Sequence, residues 1–513
     1  MPRRARSTLL VGVLITSVAL VGSCSSGPSA APTLGPSLSP SPSPSLGAAA
    51  SSPPRTLAGT PLTRCGLPNG SGVVIAQCGH LRVAEDPSKP DGRQIELKVA
   101  VIPAVSANPE PDPVFILAGG PGGAAAKDLA WTAARYPGMH ATRDIVLVDQ
   151  RGTGESNELR FEVPPDFSGL SPEETQRQLR AWVEGQLERF DADPTMYTTA
   201  IAMDDLDAVR SALGYDKINV MGSSYGATAA QYYIRQHPDH IRTVILDGAT
   251  LIDVPVMELI APNSQRALEL LFGRCAEDAA CGAAYPTLPA DFAAAQARLA
   301  KGAVTTEVSS LITRKPIVIS AGTFAAVVHQ GLVSSDLTAG LPWLIRAAAE
   351  GRWNDVASVV ARLEQPEVGL QVMSGMIRCA EAWAVFEPDR VAELGAGSYL
   401  RDVELTGAKQ QAAGCAYAPR GYVPADDAAR ATTSLPVLLL VGNADPQDPP
   451  SNIATAATDF PNSLTVVVPQ EGHTVAHLGC VPNIVDAFIA AGSVEGLHTT
   501  CIMGMVPPPF RLP

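Results

Sequence analysis

The sequence Gly222-Ser223-Ser224-Tyr225-Gly226 follows the apolar run Ile218–Met221 and precedes an alanine-rich stretch reaching about Gln236. A G-x-S-x-G between a strand and a helix puts its serine on a sharp turn, where flanking glycines relieve crowding and the hydroxyl stands above the sheet. Ser224 is the expected nucleophile, and Ser223 occupies the variable position. A serine hydroxyl attacks only when a base takes its proton, and that base needs an acid to fix its tautomer and stabilise the imidazolium. Asp445 follows the apolar run Val437–Val441 within Gly442-Asn443-Ala444-Asp445-Pro446, and His473 follows Leu464–Val468 within Glu471-Gly472-His473-Thr474. Ser, acid, His is a chain order in which such triads occur. The chemistry expected of the three is acyl transfer through an acyl-enzyme. Asp448 and Asp247 are alternatives for the acid, read here as loop-shaping carboxylates, and His477 is the alternative base, read as a structural neighbour of Cys480.

Negative charge grows on the attacked carbonyl oxygen and needs fixed donors. The amide of Tyr225 is one candidate. The loop Gly119-Gly120-Pro121-Gly122-Gly123, directly after the apolar run Val114–Leu117, offers the other through Gly120. Those glycines lack the Lys-Ser/Thr ending of a phosphate-binding loop. Neither a metal nor an organic cofactor is implied.

The elements that must position these residues alternate. Extended segments flank the turn at Pro87–Gly92, and Val114–Leu117 and Ile145–Val148 read as buried strands. Met203, Leu206, Val209 and Leu213 recur at helical spacing before Gly214. Strand Ile218–Met221, its helix and strand Val244–Leu246 complete a pattern that predicts a mostly parallel sheet covered on both faces. The alternation lapses between about Ile252 and Ala431, where Ala- and Leu-rich helical stretches such as Pro342–Ala349 dominate, and it resumes at Val437. One sheet interrupted by a helical insertion explains this better than two domains. The expected division is a core in 58–251 and 432–513 with an insertion at 252–431.

At the amino end, Arg3, Arg4 and Arg6 precede the apolar run Leu9–Val21, which is short for a membrane span and suits a signal peptide over 1–23. Val21-Gly22-Ser23-Cys24 resembles the lipobox of bacterial lipoproteins, which implies lipidation of Cys24 and attachment to a membrane surface without a spanning helix. The Ser/Pro-rich stretch within 24–57 buries too little apolar surface to fold and reads as a tether. Eight further cysteines fall in four sequence-local couples. In an exported chain they predict disulfides, with neighbours paired: Cys65 with Cys78, Cys275 with Cys281, Cys379 with Cys415, and Cys480 with Cys501. No couple has zinc-type C-x-x-C spacing. A net charge of -14 without a basic stripe excludes a nucleic-acid partner.

The glycine-proline loop, Asp149-Gln150-Arg151-Gly152-Thr153-Gly154-Glu155-Ser156, the GSSYG turn, Gly442–Pro446 and the EGHT segment occur in order. Together they resemble the proline iminopeptidase and tripeptidyl aminopeptidase group of α/β-hydrolases, above all secreted actinobacterial members with a cysteine-bearing tail. The resemblance runs from about Cys65 to the C-terminus. It implies an α/β-hydrolase fold with a helical cap and an exported aminopeptidase acting on short peptides. The expected place is the outer face of the cell membrane, with a share secreted. A carboxylesterase or lipase with the same triad is the alternative, acting on small esters. A binding protein that keeps the fold without turnover is a third, opposed by the intact motif set. The chain departs from the family at Ala118, where iminopeptidases have histidine, and at Asp448, where threonine is usual. Cys379-Ala380-Glu381 is only loosely similar to a family Cys-Asn-Asp. An aminopeptidase must bind a free ammonium, for which a carboxylate in the cap is suited, and Glu381 is the candidate.

Overall fold

The computed structural model describes residues 55–70, 72–162, 165, 171–363, 372–384 and 386–513. The expected signal peptide, Cys24 and nearly all of the tether lie outside the described residues.

The central sheet has nine strands among the described residues. In chain order they are β1 Thr63–Asn69, β2 Gly72–Ala84, β3 Gln94–Ile102, β4 Val114–Leu117, β5 Ile145–Val148, β6 Ile218–Ser223, β7 Ile241–Asp247, β8 Val437–Gly442 and β9 Ser463–Val468. They lie side by side as β9-β8-β7-β6-β4-β5-β3-β2-β1. The first three strands pair antiparallel and join β5 antiparallel, whereas β5, β4, β6, β7, β8 and β9 are parallel. A parallel sheet covered on both faces wants unbroken apolar strands, and β4, β5 and β8 are buried at every residue. Successive side chains point to opposite faces. Phe115, Val244 and Leu439 therefore enter one core, while Ile116, Ile245 and Leu440 enter the other.

Helix α1 (Thr199–Ala212) runs into β6, and α2 (Tyr225–Gln236) leaves it. Between β7 and β8 the chain leaves the sheet through α3 (Val256–Glu277), α4 (Ala321–Val333), α5 (Val372–Ala380) and α6 (Arg401–Cys415), with shorter helices among them. Residues from Ala267 to Ala361, together with Phe510, form a third apolar cluster. An antiparallel hairpin, Val304–Ser309 with Pro316–Ile319, also lies here, where the sequence reading expected helices. Its β-branched run Val304-Thr305-Thr306 favours extended backbone. Four disulfides join Cys65 to Cys78, Cys275 to Cys281, Cys379 to Cys415 and Cys480 to Cys501. Among the described residues no helix is long and apolar enough to cross a membrane.

The loop after β5 is anchored by charge. Arg151 is 1% exposed and grips Asp205 of α1 through Nε at 2.6 Å and Nη2 at 2.8 Å, while Nη1 donates to the carbonyls of Glu85 and Met196. Removing one partner of a buried pair leaves the other charge without compensation. Arg151→Met should therefore lose about 3–5 kcal/mol of stability, read as a lower urea midpoint. Arg151→Met combined with Asp205→Leu should recover most of it. A single variant that unfolds at the wild-type midpoint would show that the pair does not hold this loop.

Candidate active site

Ser224 stands between β6 and α2 with φ 56° and ψ -127°. That is a backbone conformation a non-glycine residue holds only when its surroundings impose it, at a cost on the order of 1–3 kcal/mol. The Ser224 amide donates to the Asp247 carbonyl at 2.8 Å, and its own carbonyl accepts from the Ala227 amide at 2.8 Å. The glycines of the motif are steric necessities. A Cβ on Gly222 would lie 2.1 Å from the Gly226 carbonyl oxygen, and one on Gly226 would lie 2.4 Å from that of Leu117.

Asp445 is fully buried. One carboxylate oxygen accepts the amides of Gln447 at 2.8 Å and Asp448 at 2.9 Å; the other faces His473 Nδ1 at 2.8 Å. An ionised acceptor at that distance assigns the proton to Nδ1 and leaves Nε2 unprotonated, the form in which an imidazole can accept a proton. Burial works to raise the Asp445 pKa, but the charge and hydrogen bond of His473 and the two amides carry it below the usual value.

The loop bearing His473 is fixed by its neighbours. Its amide donates to the Val333 carbonyl of α4 at 2.7 Å, and Asp247 accepts the amides of Val475 at 2.7 Å and Ala476 at 3.2 Å. Asp247 is thus a loop-shaping carboxylate, and burial pushes it up to about 6. His477 is held away from this work. It meets the Trp131 ring edge-on at 6.0 Å, and burial brings its pKa down to about 4.

Gly120, Pro121, Ser224, Tyr225, Arg378, Trp383 and Asp448 line a cavity with Val256, Met257 and Ile260 of α3. The Tyr225 amide begins α2, where an N–H has no intrahelical acceptor. The glycine loop runs against Ser224 so closely that a Cβ on Gly119 would lie 3.2 Å from that of Ser224. Asp149 steadies this loop from behind: it accepts the amides of Ala126 at 2.7 Å and Glu155 at 3.0 Å, and burial pushes it up to about 6.

Glu381 is fully buried and does not line the cavity. One of its oxygens accepts the Thr199 amide at 2.6 Å; the other accepts the Thr199 hydroxyl at 2.8 Å and Trp383 Nε1 at 2.7 Å. Because Thr199 gives its hydroxyl proton to Glu381, the Tyr225 hydroxyl must donate to Thr199 Oγ1 at 2.8 Å, and it accepts from Gln150 Nε2 at 2.8 Å. Burial pushes the Glu381 carboxyl up to about 7 against these donors. Direct contact of Glu381 with a substrate ammonium, as expected from sequence, does not fit this placement. Sequence reasoning missed Thr199, Trp383 and Arg378. Gln150 was visible within its motif, but its partner was not.

Asp448 has a place of its own. It faces the cavity, accepts a hydrogen bond from Thr250 Oγ1, and sets a second carboxylate 3.5 Å from His473 Nδ1.

Two family models match the chain: the alpha/beta hydrolase fold over residues 112–279 and the TAP-like protein over residues 403–501. Tripeptidyl aminopeptidase of Streptomyces lividans is 31% identical over 264 residues, covering 48% of this chain and 49% of that protein. Serine protease Hip1 of Mycobacterium tuberculosis is 28% identical over 223 residues, 40% of this chain and 42% of its own. A probable proline iminopeptidase of Streptomyces coelicolor is 32% identical over 141 residues, 28% and 34% respectively. The chain spans about half, or less, of the length of these curated relatives.

Burial pushes the Asp448 carboxyl up to about 7, so it is neutral below that pH and ionised above it. The ionised form stabilises positive charge on His473, and only at the higher pH. In Asp448→Asn the loss of kcat/KM at pH 8 should exceed the loss at pH 6 by about tenfold, the equivalent of one pKa unit at His473. Equal losses at both pH values would remove Asp448 from the electrostatics of the base.

Proposed function

The chain belongs to the α/β-hydrolases of the proline iminopeptidase and tripeptidyl aminopeptidase type, and from that premise we propose that it is a serine peptidase releasing residues or short peptides from the amino end of its substrates. The observation that carries this reading is the buried 2.8 Å contact of Asp445 with His473 Nδ1, at the strand ends that also hold Ser224 in its strained turn. Ser224 Oγ attacks the carbonyl carbon while His473 Nε2 takes its proton. The Tyr225 and Gly120 amides receive the oxyanion, and His473 returns the proton to the leaving amine. Water, activated by the same imidazole, then releases the acyl group and restores Ser224. A triad does not choose between amide and ester. The peptidase relatives favour amides, and ester hydrolysis is the alternative.

Helices between about 252 and 431 form the cap in this reading. Tyr225 and Trp383, with ring centroids 5.8 Å apart, offer a substrate ammonium an aromatic wall with the Glu381 carboxylate behind it. Glu381 is then a positioning residue whose charge acts through that wall.

Ser224→Ala and His473→Ala should each lower kcat on the order of 10⁶-fold, with Asp445→Asn losing less, and fluorophosphonate labelling should vanish with Ser224. Activity kept by His473→Ala but lost in His477→Ala would overturn the base. On the same panel, Glu381→Gln should weaken kcat/KM for free-amine peptides more than for N-acetylated peptides and esters. A wild type that prefers acetylated peptides or esters would end the aminopeptidase reading.

We further propose that the chain is exported and lipid-anchored through Cys24, a reading supported by its N-terminal sequence and by four disulfides suited to an oxidising compartment. Cys24→Ala should move the protein from the membrane fraction to the medium. Equal membrane association of variant and wild type would refute the anchor.

A further inference from the structure

The cavity that opens on Ser224 receives two charged side chains, Asp448 and Arg378. Asp448 is engaged by Thr250 and lies beside His473. Arg378 is differently placed. Its Nε reaches Ser374 Oγ at 3.4 Å, and among the described residues no carboxylate lies within the 4.0 Å of an ion pair. Glu404 of α6 acts on it only from beyond that range.

Among the described residues Arg266 and Arg274 also lack a carboxylate within that range, but each donates to a carbonyl, that of Asp445 at 3.2 Å and that of Pro508 at 2.7 Å, and neither lines this cavity. The buried Arg143, Arg151 and Arg210 each hold a carboxylate, at 2.9, 2.6 and 2.7 Å respectively, whereas the half-buried Arg378 holds none. A half-buried guanidinium without a counter-charge, at the wall of a cavity, attracts a carboxylate that reaches it through charge-assisted hydrogen bonds. The Arg378 backbone is also well anchored. The neighbouring Cys379 is bonded to Cys415 of α6, and the Arg378 carbonyl accepts from Gln411 Nε2 at 2.7 Å. A cation fixed on the cap side of a cavity, with the nucleophile on the sheet side, is suited to choosing substrates rather than to holding the fold.

We propose that Arg378 is a specificity residue that binds a carboxylate of the substrate close to the scissile bond. This rests on the peptidase reading of the same site. The carboxylate has two sources in a short peptide, an acidic side chain or the terminal carboxylate, and both would form the same charge-assisted pair.

The test compares kcat/KM within matched peptides: Glu against Gln at the residue that supplies the attacked carbonyl, and a free C-terminal acid against its amide. Wild type should favour the charged member of one pair by about 10- to 100-fold, the range of a hydrogen bond to a charged group. The pair that shows the preference identifies the source. Arg378→Gln should bring that ratio close to one and Arg378→Lys should keep part of it, with circular dichroism confirming that both variants fold. No preference in either pair, or a preference that survives Arg378→Gln, would overturn the proposal. If a fluorophosphonate-reactive wild type cuts no peptide, the peptidase reading fails by itself. Arg378 is then decided by the same ratio on 4-nitrophenyl hydrogen glutarate against 4-nitrophenyl butyrate.

Discussion

Backbone packed against backbone at the carboxyl ends of the strands is the constraint on which this site depends. A Cβ on Gly442 would lie 2.0 Å from the Gly472 carbonyl oxygen, and one on Gly472 would lie 2.4 Å from that of Val333. The glycines of the turn at Ser224 are equally confined. Main chain this close has few other arrangements open to it, so the loops carrying Ser224, Asp445 and His473 are fixed by sterics before any side chain bonds to another. The Val333 contact brings the inserted helices into that constraint, because α4 ends on the loop that carries His473. The helices between β7 and β8 therefore hold the loop of His473 as well as lining the cavity at Ser224.

Polar side chains extend this order outward. The path Gln150, Tyr225, Thr199, Glu381 and Trp383 joins the loop after β5, the helix after Ser224, the start of α1 and the segment after α5. Each proton in the path has one place to go, which makes the network directional. Two of its rings, Tyr225 and Trp383, form part of the cavity wall.

Electrostatics then separates neighbouring groups. Asp445 and Asp448 are both buried beside one imidazole, yet the first is held below its usual pKa and the second is pushed up to about 7. The difference lies in charge and hydrogen bonding: burial and then the neighbouring Asp445 charge raise Asp448, whereas His473 lowers Asp445 by its charge as well as by its hydrogen bond. Asp445 has two backbone amides and a direct bond to His473, whereas Asp448 has the hydroxyl of Thr250. Two carboxylates three residues apart are thereby suited to different protonation states at one pH.

Much of this was legible in the chain itself. Strands β4 and β5 and the end of α2 fall where the apolar runs and the alanine-rich stretch place them, because buried parallel strands and strand-to-helix turns have strong local signatures. The sequence reading singles out Ser224, Asp445 and His473 because each stands just after such a strand, where a parallel sheet gathers its loops, and in the structure Asp445 and His473 meet at 2.8 Å. The hairpin in the insertion was not legible, since its short strands pair only with each other in a setting of helices. Nor was the environment of Glu381: nothing local reveals that Thr199, 182 positions away, and Trp383 occupy its oxygens. The same holds for Arg378, whose want of a carboxylate partner is a property of everything packed around it. Sequence determined which residues have the chemistry and which strands carry them; tertiary structure alone decided which charges are neutralised and which face the cavity, because long-range packing sets desolvation and hydrogen-bond partners.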